Sequence, residues 1–187
     1  MLLKSINRRV SLLAVLGLLP VVTFAAVETK EQSEVEKEGV QLVGQLEDVA
    51  RDVSYNTDRL NSFTNYPQIS TWTHYHHLAE IKSLVNDGLR PALKRLTEIQ
   101  PQLPAWQQDS IDKLINSAEA LAADTNSAIF AMREAGAVPP VLNAEYKELI
   151  SRMHEHSKAL VQTSDAAGNY ATAHREALEA GLEVPRH

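Results

Sequence analysis

Three histidines lie within four positions of the run WTHYHHLAEI, residues 72–81, in a chain that contains seven in all. Neutral imidazole binds transition metals and haem iron, and histidine is also a frequent acid–base group. In a helix each residue turns by about 100 degrees, so His74 and His77 share a face while His76 points nearly opposite. The run therefore offers two candidate ligands and not three.

A divalent-metal site needs a further ligand from a neighbouring element. The apolar stripe of Leu78 and Ile81 extends back to His74, which predicts that His74 faces inward with His77 on its flank. Asp58 reaches the same level when the chain folds back, so His74, His77 and Asp58 are the candidate metal ligands. No glutamate precedes a histidine by three positions, and H-E-x-x-H does not occur, so the usual signatures of such sites are missing.

Aromatic residues gather at the same predicted end of the molecule. Seven of the nine aromatic residues after position 25 fall there, namely Tyr55, Phe63, Tyr66, Trp72, Tyr75, Phe130 and Tyr146. One interpretation is a plug of wide side chains in the core. The other is a small-ligand pocket, in which polar groups converge between apolar walls. Its candidate lining residues are Trp72, Tyr75, Met132, Tyr146 and His156.

Cofactor chemistry is restricted by the absence of cysteine, which excludes covalent haem, thiolate zinc sites, disulfides and cysteine nucleophiles. A b-type haem needs an axial ligand such as His156, together with space in the core. The expectation from the sequence is a protein without a cofactor, with a divalent metal or b-type haem as the alternative.

Helical periodicity runs through almost the whole chain after the N-terminal region, and no stretch alternates apolar and polar residues as a strand does. Four helices are predicted, over about 29–62, 70–100, 104–135 and 141–180. Short connections favour antiparallel neighbours, so the predicted fold is all-α, an up-down-up-down four-helix bundle. A three-helix bundle with a detached first helix is the alternative.

Two details of these helices can be predicted. Gly88 and Pro91 lie inside helix two and predict a kink, because proline removes an amide hydrogen bond. Helix four carries apolar residues at alternating steps of four and three, and this seam passes through Met153, His156 and Leu160. His156 is therefore expected to face inward.

The first 25 residues resemble a cleaved secretory signal. Lys4, Arg8 and Arg9 precede an apolar run, and Thr23 and Ala25 stand at the small-residue positions of a cleavage site. A retained membrane anchor is the alternative, although the run is short and contains Pro20. We predict a single domain over 26–187 that is periplasmic or secreted, with no membrane span after cleavage.

The charge of the predicted mature chain disfavours nucleic acid. Cleavage removes three of the 18 cations and none of the 24 acids, which moves the formal net charge from −6 to −9. Binding phosphates requires a basic face. The leading hypothesis is a non-enzymatic, exported bundle that acts through an envelope partner or a surface interaction. The alternative is a periplasmic bundle that binds a small ligand, divalent metal or haem through His74 and His77, and an enzyme is the third hypothesis.

Overall fold

The structure is a computed structural model of the chain and describes residues 22–136 and 138–180. The part of the chain that it describes is helical throughout its regular elements and contains no strand, which confirms the all-α prediction. In chain order the α-helices are α1 (Val22–Phe63), α2 (Thr71–Ser83), α3 (Arg90–Ile99), α4 (Ala105–Ala135) and α5 (Ala144–Glu179). A π-helical turn, Leu84–Leu89, joins α2 to α3 into one long segment, so the described residues form four long helical segments.

Three of the four predicted helices match these segments to within a few residues. The exception is the first, which was expected near position 29 but begins at Val22 in the structure. The acidic run after Thr29 suggested a helix start, yet the helix already includes the preceding residues, among which Ala25, Ala26 and Glu28 have high helix propensity. The predicted signal peptide lies largely outside the described residues. Among those that are described, no helix combines the length and apolar character needed to cross a bilayer.

Local sequence explains the start of α2. The side chain of Ser70 accepts a hydrogen bond from the amide of Thr73 at 3.2 Å, so serine caps the helix as its position before the apolar stripe predicts. This cap fixes the direction in which α2 leaves the turn, and with it the orientation of His74 one residue beyond Thr73.

The predicted irregularity near Gly88 and Pro91 is a π-helical turn. Pro91 has no amide hydrogen to donate, so the bond to the carbonyl of Asp87 cannot form. The amide of Arg90 instead donates to the carbonyl of Val85, five residues back. Gly88 lies against α1, where a Cβ atom would stand 2.7 Å from Cγ1 of Val49. The close approach of the two segments therefore requires glycine.

The core is built from the predicted stripes, with one correction in α5. The buried face of this helix passes through Met153, Ser157 and Leu160, whereas His156 is only partly buried. His156 and Ser157 are adjacent in sequence, and either one could occupy this position of the seam. The smaller Ser157 packs inward because its hydroxyl hydrogen-bonds to Thr57 of α1 at 2.7 Å. The inward orientation predicted for His156 is therefore wrong.

Side-chain pairs show which segments are neighbours. Between α1 and the second segment the pairs are Glu38–Arg95, Val49–Gly88 and Asn56–His77; between α1 and α5 they are Arg51–Asp165, Thr57–Ser157 and Asp58–His154. In both sets the residue numbers rise along α1 and fall along its neighbour. Asp124 of α4 pairs with Arg152 of α5, and Arg133 of α4 contacts Tyr75 of α2.

Candidate functional site

His74 of α2 is completely buried against α5 and the end of α1. Its Nδ1 is hydrogen-bonded to the hydroxyl of Tyr146, also completely buried, at 3.0 Å. The rings of Phe63 and Tyr146 both meet the imidazole edge-on. The inward position predicted for His74 is confirmed, and its partner is a tyrosine at the start of α5.

Burial makes His74 a neutral group. Desolvation, with a smaller contribution from His77, lowers the pKa of His74 to about 4. Desolvation likewise raises the pKa of Tyr146. Nε2 of His74 is buried and has no hydrogen-bond partner among the described residues. One ring nitrogen is thus satisfied and the other lies in an apolar environment, where an unmade hydrogen bond is costly.

His77 lies on the flank, as predicted, and joins α2 to α1. Its Nδ1 donates to Oδ1 of Asn56 at 3.0 Å and lies 3.2 Å from Oε2 of Glu80. Desolvation lowers the pKa of His77, although the carboxylate of Glu80 acts in the opposite direction. His77 therefore belongs to a polar seam between two helices. The structure shows no hydrogen bond between His77 and the unpartnered Nε2 of His74.

The predicted metal ligands do not assemble into a three-ligand site. Asp58 is exposed, and its Oδ1 lies 4.0 Å from Nε2 of His154 on α5. Within the residues the structure describes, no group of three or more histidines, aspartates or glutamates is arranged to hold a metal ion. The side chain of Asp58 is directed toward α5, whereas His77 on α2 pairs with Asn56 of α1.

The five predicted pocket residues also separate. Met132 and Tyr146 are buried in the core, whereas Trp72 and Tyr75 are exposed. His156 lies at the margin of α5, with Nε2 3.5 Å from Oδ2 of Asp124. Cavities elsewhere in the described residues are lined by other side chains.

An aromatic plug is formed only in part. Tyr146 is in the core and Phe63 is half-buried, but the remaining five aromatic residues of this end are exposed: Tyr55, Tyr66, Trp72, Tyr75 and Phe130. The plug interpretation is therefore wrong for most of these residues. The reason is that the aliphatic stripes already fill the space between the helices, with Leu60, Leu78 and Met153 among the buried residues.

Exposed residues of the neighbouring helices α2 and α4 include three large aromatic side chains, and we call this set the aromatic face: Trp72, Tyr75, His76, Phe130 and Arg133. The Trp72 side chain stacks on His76 with parallel rings, and a guanidinium nitrogen of Arg133 donates to the hydroxyl of Tyr75 at 3.3 Å. This bond and the positive charge of Arg133 lower the pKa of Tyr75. Trp72 is 73% exposed and Phe130 is 62% exposed.

Two functional features were missed from the sequence. Arg133 joins the aromatic face because it is three residues after Phe130 on one side of α4, a spacing that could have been recognised. Asp124 is buried and accepts two hydrogen bonds from Arg152, at 2.6 and 3.1 Å, with His156 beside it. Nothing in the sequence alone indicates that these residues of α4 and α5 would meet.

Comparison with known proteins adds no relative: no protein-family model, no curated protein and no solved structure matches this chain.

Proposed function

We propose that this protein is an exported, non-enzymatic helical bundle that binds a partner protein of the cell envelope through its aromatic face. The observation that supports it is the exposure of Trp72 and Phe130, two of the largest apolar side chains in the molecule, on adjoining helices. Contiguous apolar surface of this kind marks interaction sites in soluble proteins. The proposal of export rests on the sequence of residues 1–25.

The chemistry of the aromatic face favours a protein as the ligand. Tryptophan, tyrosine and arginine are the residues most enriched among those that dominate binding energy in protein interfaces. Here Tyr75 is hydrogen-bonded to Arg133, and Trp72 stacks on His76. These contacts restrict the Tyr75 and Trp72 side chains before a partner binds. Ordered side chains lose less conformational entropy when a partner covers them.

The fold proposed beneath this surface is an antiparallel up-down-up-down four-helix bundle. The opposed order of residue pairs between α1 and its two neighbours supports it, as do the short turns between the segments. The residues that hold the helices of this bundle together differ from those of the aromatic face. The fold therefore does not depend on the aromatic face.

Site-specific photo-crosslinking in the cells that naturally produce the protein tests the proposal. A photoreactive phenylalanine analogue replaces Trp72, Tyr75 or Phe130 in turn. Lys113 and Glu155, which are exposed on α4 and α5 away from the face, are the control positions. We expect the same discrete cross-linked product from all three face positions and from neither control. Equal labelling at face and control positions, or no product from the face, would contradict the proposal.

A second candidate function is a small-ligand or divalent-metal site at His74, with b-type haem as the cofactor alternative. The buried, unpartnered Nε2 of His74 supports it. If it is correct, protein purified from the producing cells contains stoichiometric metal or shows a haem absorption band. Either signal should disappear in His74→Ala and persist in the exposed control His76→Ala. Colourless, metal-free protein whose thermal midpoint is unmoved by added divalent ions would refute the metal and haem forms of this candidate and leave the first proposal intact.

A further inference from the structure

A groove lies between α3 and α4, on the side of the molecule away from α1. Its volume is about 310 Å³, at the lower end of the range of about 300–1,000 Å³ that is usual for small-molecule sites. The apolar lining comes from both helices and from the π-helical turn: Val85, Leu89, Leu93, Ile115, Ala118 and Ala122. Leu93, Ile115 and Ala122 are only half-buried, so the groove presents apolar atoms to water.

The groove has a structural cause in the two helices that border it. On α4 the residues that face α3 include Ala118 and Ala122, whose short side chains leave space unfilled. On the other wall the π-helical turn changes the register of the chain before Arg90, which directs α3 along the groove. Single π-helical turns are frequent at functional sites, and this one contributes Val85 and Leu89 to the lining of the groove.

Positive charge lies on one rim of the groove. Arg90 and Lys94 are four residues apart and therefore project from the same side of α3. Both are exposed, and neither makes an ion pair or hydrogen bond among the described residues. By contrast, Arg51, Arg95 and Arg152 each bind a carboxylate. In an acidic protein, two adjacent cations without a carboxylate partner form an unbalanced positive site.

The remaining polar groups of the groove are Thr97 and Glu119. Thr97 donates its hydroxyl to the carbonyl of Leu93, so this hydroxyl is already used as a donor. Glu119 lines the groove from the α4 side and repels an anion there. A negative group is therefore attracted to the α3 rim, at Arg90 and Lys94, and an attached apolar chain extends along the leucine, isoleucine and alanine lining.

We propose that this groove binds a medium-chain aliphatic carboxylate, with its carboxylate bridging Arg90 and Lys94 and its chain covering Leu93 and Ile115. The carboxylate relieves the repulsion between the two cations, and charge-assisted hydrogen bonds to arginine are among the stronger polar contacts in proteins. The chain removes half-exposed apolar surface from water. This site is separate from the aromatic face and does not depend on it.

Isothermal titration calorimetry of the full mature chain with decanoate, below its micelle concentration, tests the proposal. We expect saturable binding at one site, binding of decanol that is weaker by about tenfold or more, and no measurable binding of butyrate. In Arg90→Gln/Lys94→Gln decanoate should bind about as weakly as decanol. The matched control Lys82→Gln/Lys158→Gln changes the net charge equally and should bind as the wild type does.

Two further measurements keep the proposal falsifiable if the charge variant is poorly folded. Ala122→Trp fills the groove without removing a charge and should abolish decanoate binding while the circular dichroism spectrum stays helical. In amide NMR spectra, the largest decanoate-induced shifts should fall at Leu93, Lys94 and Ile115. Equal affinity for decanoate and decanol, unaffected binding in Ala122→Trp, or shifts scattered over the surface would each overturn the proposal.

Discussion

At the scale of single residues, the most consequential group is the imidazole of His74. It is a polar side chain in a mostly apolar core, and its only side-chain hydrogen bond within the described residues is to Tyr146. The tyrosine satisfies one nitrogen, and the apolar surroundings keep the ring neutral. Because the protonated ring has no carboxylate beside it in the core, protonation and folding compete at this residue.

The first prediction concerns stability against pH. The pKa of His74 is about 4 in the folded protein and about 6.5 in the unfolded chain, so the unfolded chain takes up the proton first as pH falls. The contribution of neutral His74 to the free energy of unfolding is therefore fully present above about pH 6.5, and it is lost as pH falls toward 4. The loss amounts to at most about 3 kcal/mol.

Urea denaturation at several pH values between 7 and 4 measures this effect. In His74→Leu the fall in the free energy of unfolding over this range should be smaller than in the wild type, even if the variant is less stable at pH 7. His76→Gln, which alters an exposed histidine of the same helix, should retain the wild-type pH dependence. An identical pH dependence in wild type and His74→Leu would show that His74 is not the titrating group.

At the scale of elements, the segment between α2 and α3 determines how closely the chain approaches α1. The missing amide hydrogen of Pro91 produces the π-helical turn, and Gly88 within this turn lies directly against Val49. The glycine is thus required by packing between segments, because its position is helical and every other residue except proline would favour the helix more.

The second prediction follows from this contact. Gly88→Ala places a methyl group 2.7 Å from Cγ1 of Val49, and such overpacking typically costs about 1–3 kcal/mol. Gly44 has no heavy atom within 4 Å of a Cβ atom at its position, so Gly44→Ala should instead stabilise α1 by about 0.5–1 kcal/mol. Thermal and urea unfolding measure both.

A compensating variant separates the contact from a general effect of alanine. Val49→Ala removes the methyl groups that meet position 88, so the double variant Gly88→Ala/Val49→Ala should lose less stability than the two single changes added together. Strict additivity would contradict the proposed contact between the two segments.

The number of long helical segments and the extent of three of them could be predicted from periodicity, because each long segment buries a stripe at helical spacing. The face of α5 could not be predicted to within one residue. His156 and Ser157 both satisfy the pattern, and the choice depends on the hydrogen bond to Thr57 of another helix. The form of the irregularity at Pro91 was likewise undetermined, since a kink and a π-helical turn begin from the same missing hydrogen bond.

The candidate site was predicted less well than the fold. Its inward histidine follows from the stripe of α2, but the position of Asp58 does not, because two helices at the same level can present their side chains in different directions. Exposure of Trp72 and Phe130 was also unexpected. Sequence shows which residues are apolar, whereas the space remaining in the core depends on how all the helices pack together.

At the scale of the whole molecule, fold and proposed function are carried by different residues. The core holds the helices together, while the aromatic face stands on the outside of α2 and α4. The stability of the fold does not explain why tryptophan, tyrosine and phenylalanine are exposed on these two helices.

The third prediction tests this separation. The double variant Trp72→Ser/Phe130→Ser should change the free energy of unfolding by no more than about 1 kcal/mol, or about 0.5 kcal/mol for each substitution, because both side chains are mostly exposed. In the cross-linking experiment, the same two substitutions should abolish the product formed from position 75. Large destabilisation would assign the aromatic residues to the fold and not to a partner.

The yield of cross-linked product from position 72, divided by the yield from position 113, tests the central claim most directly. Both positions are exposed, and they differ in whether they lie on the aromatic face. The proposal predicts a discrete product from position 72 in the producing cells and almost none from position 113. A ratio near one, or the absence of any product from position 72, would contradict the claim that the aromatic face binds a partner protein.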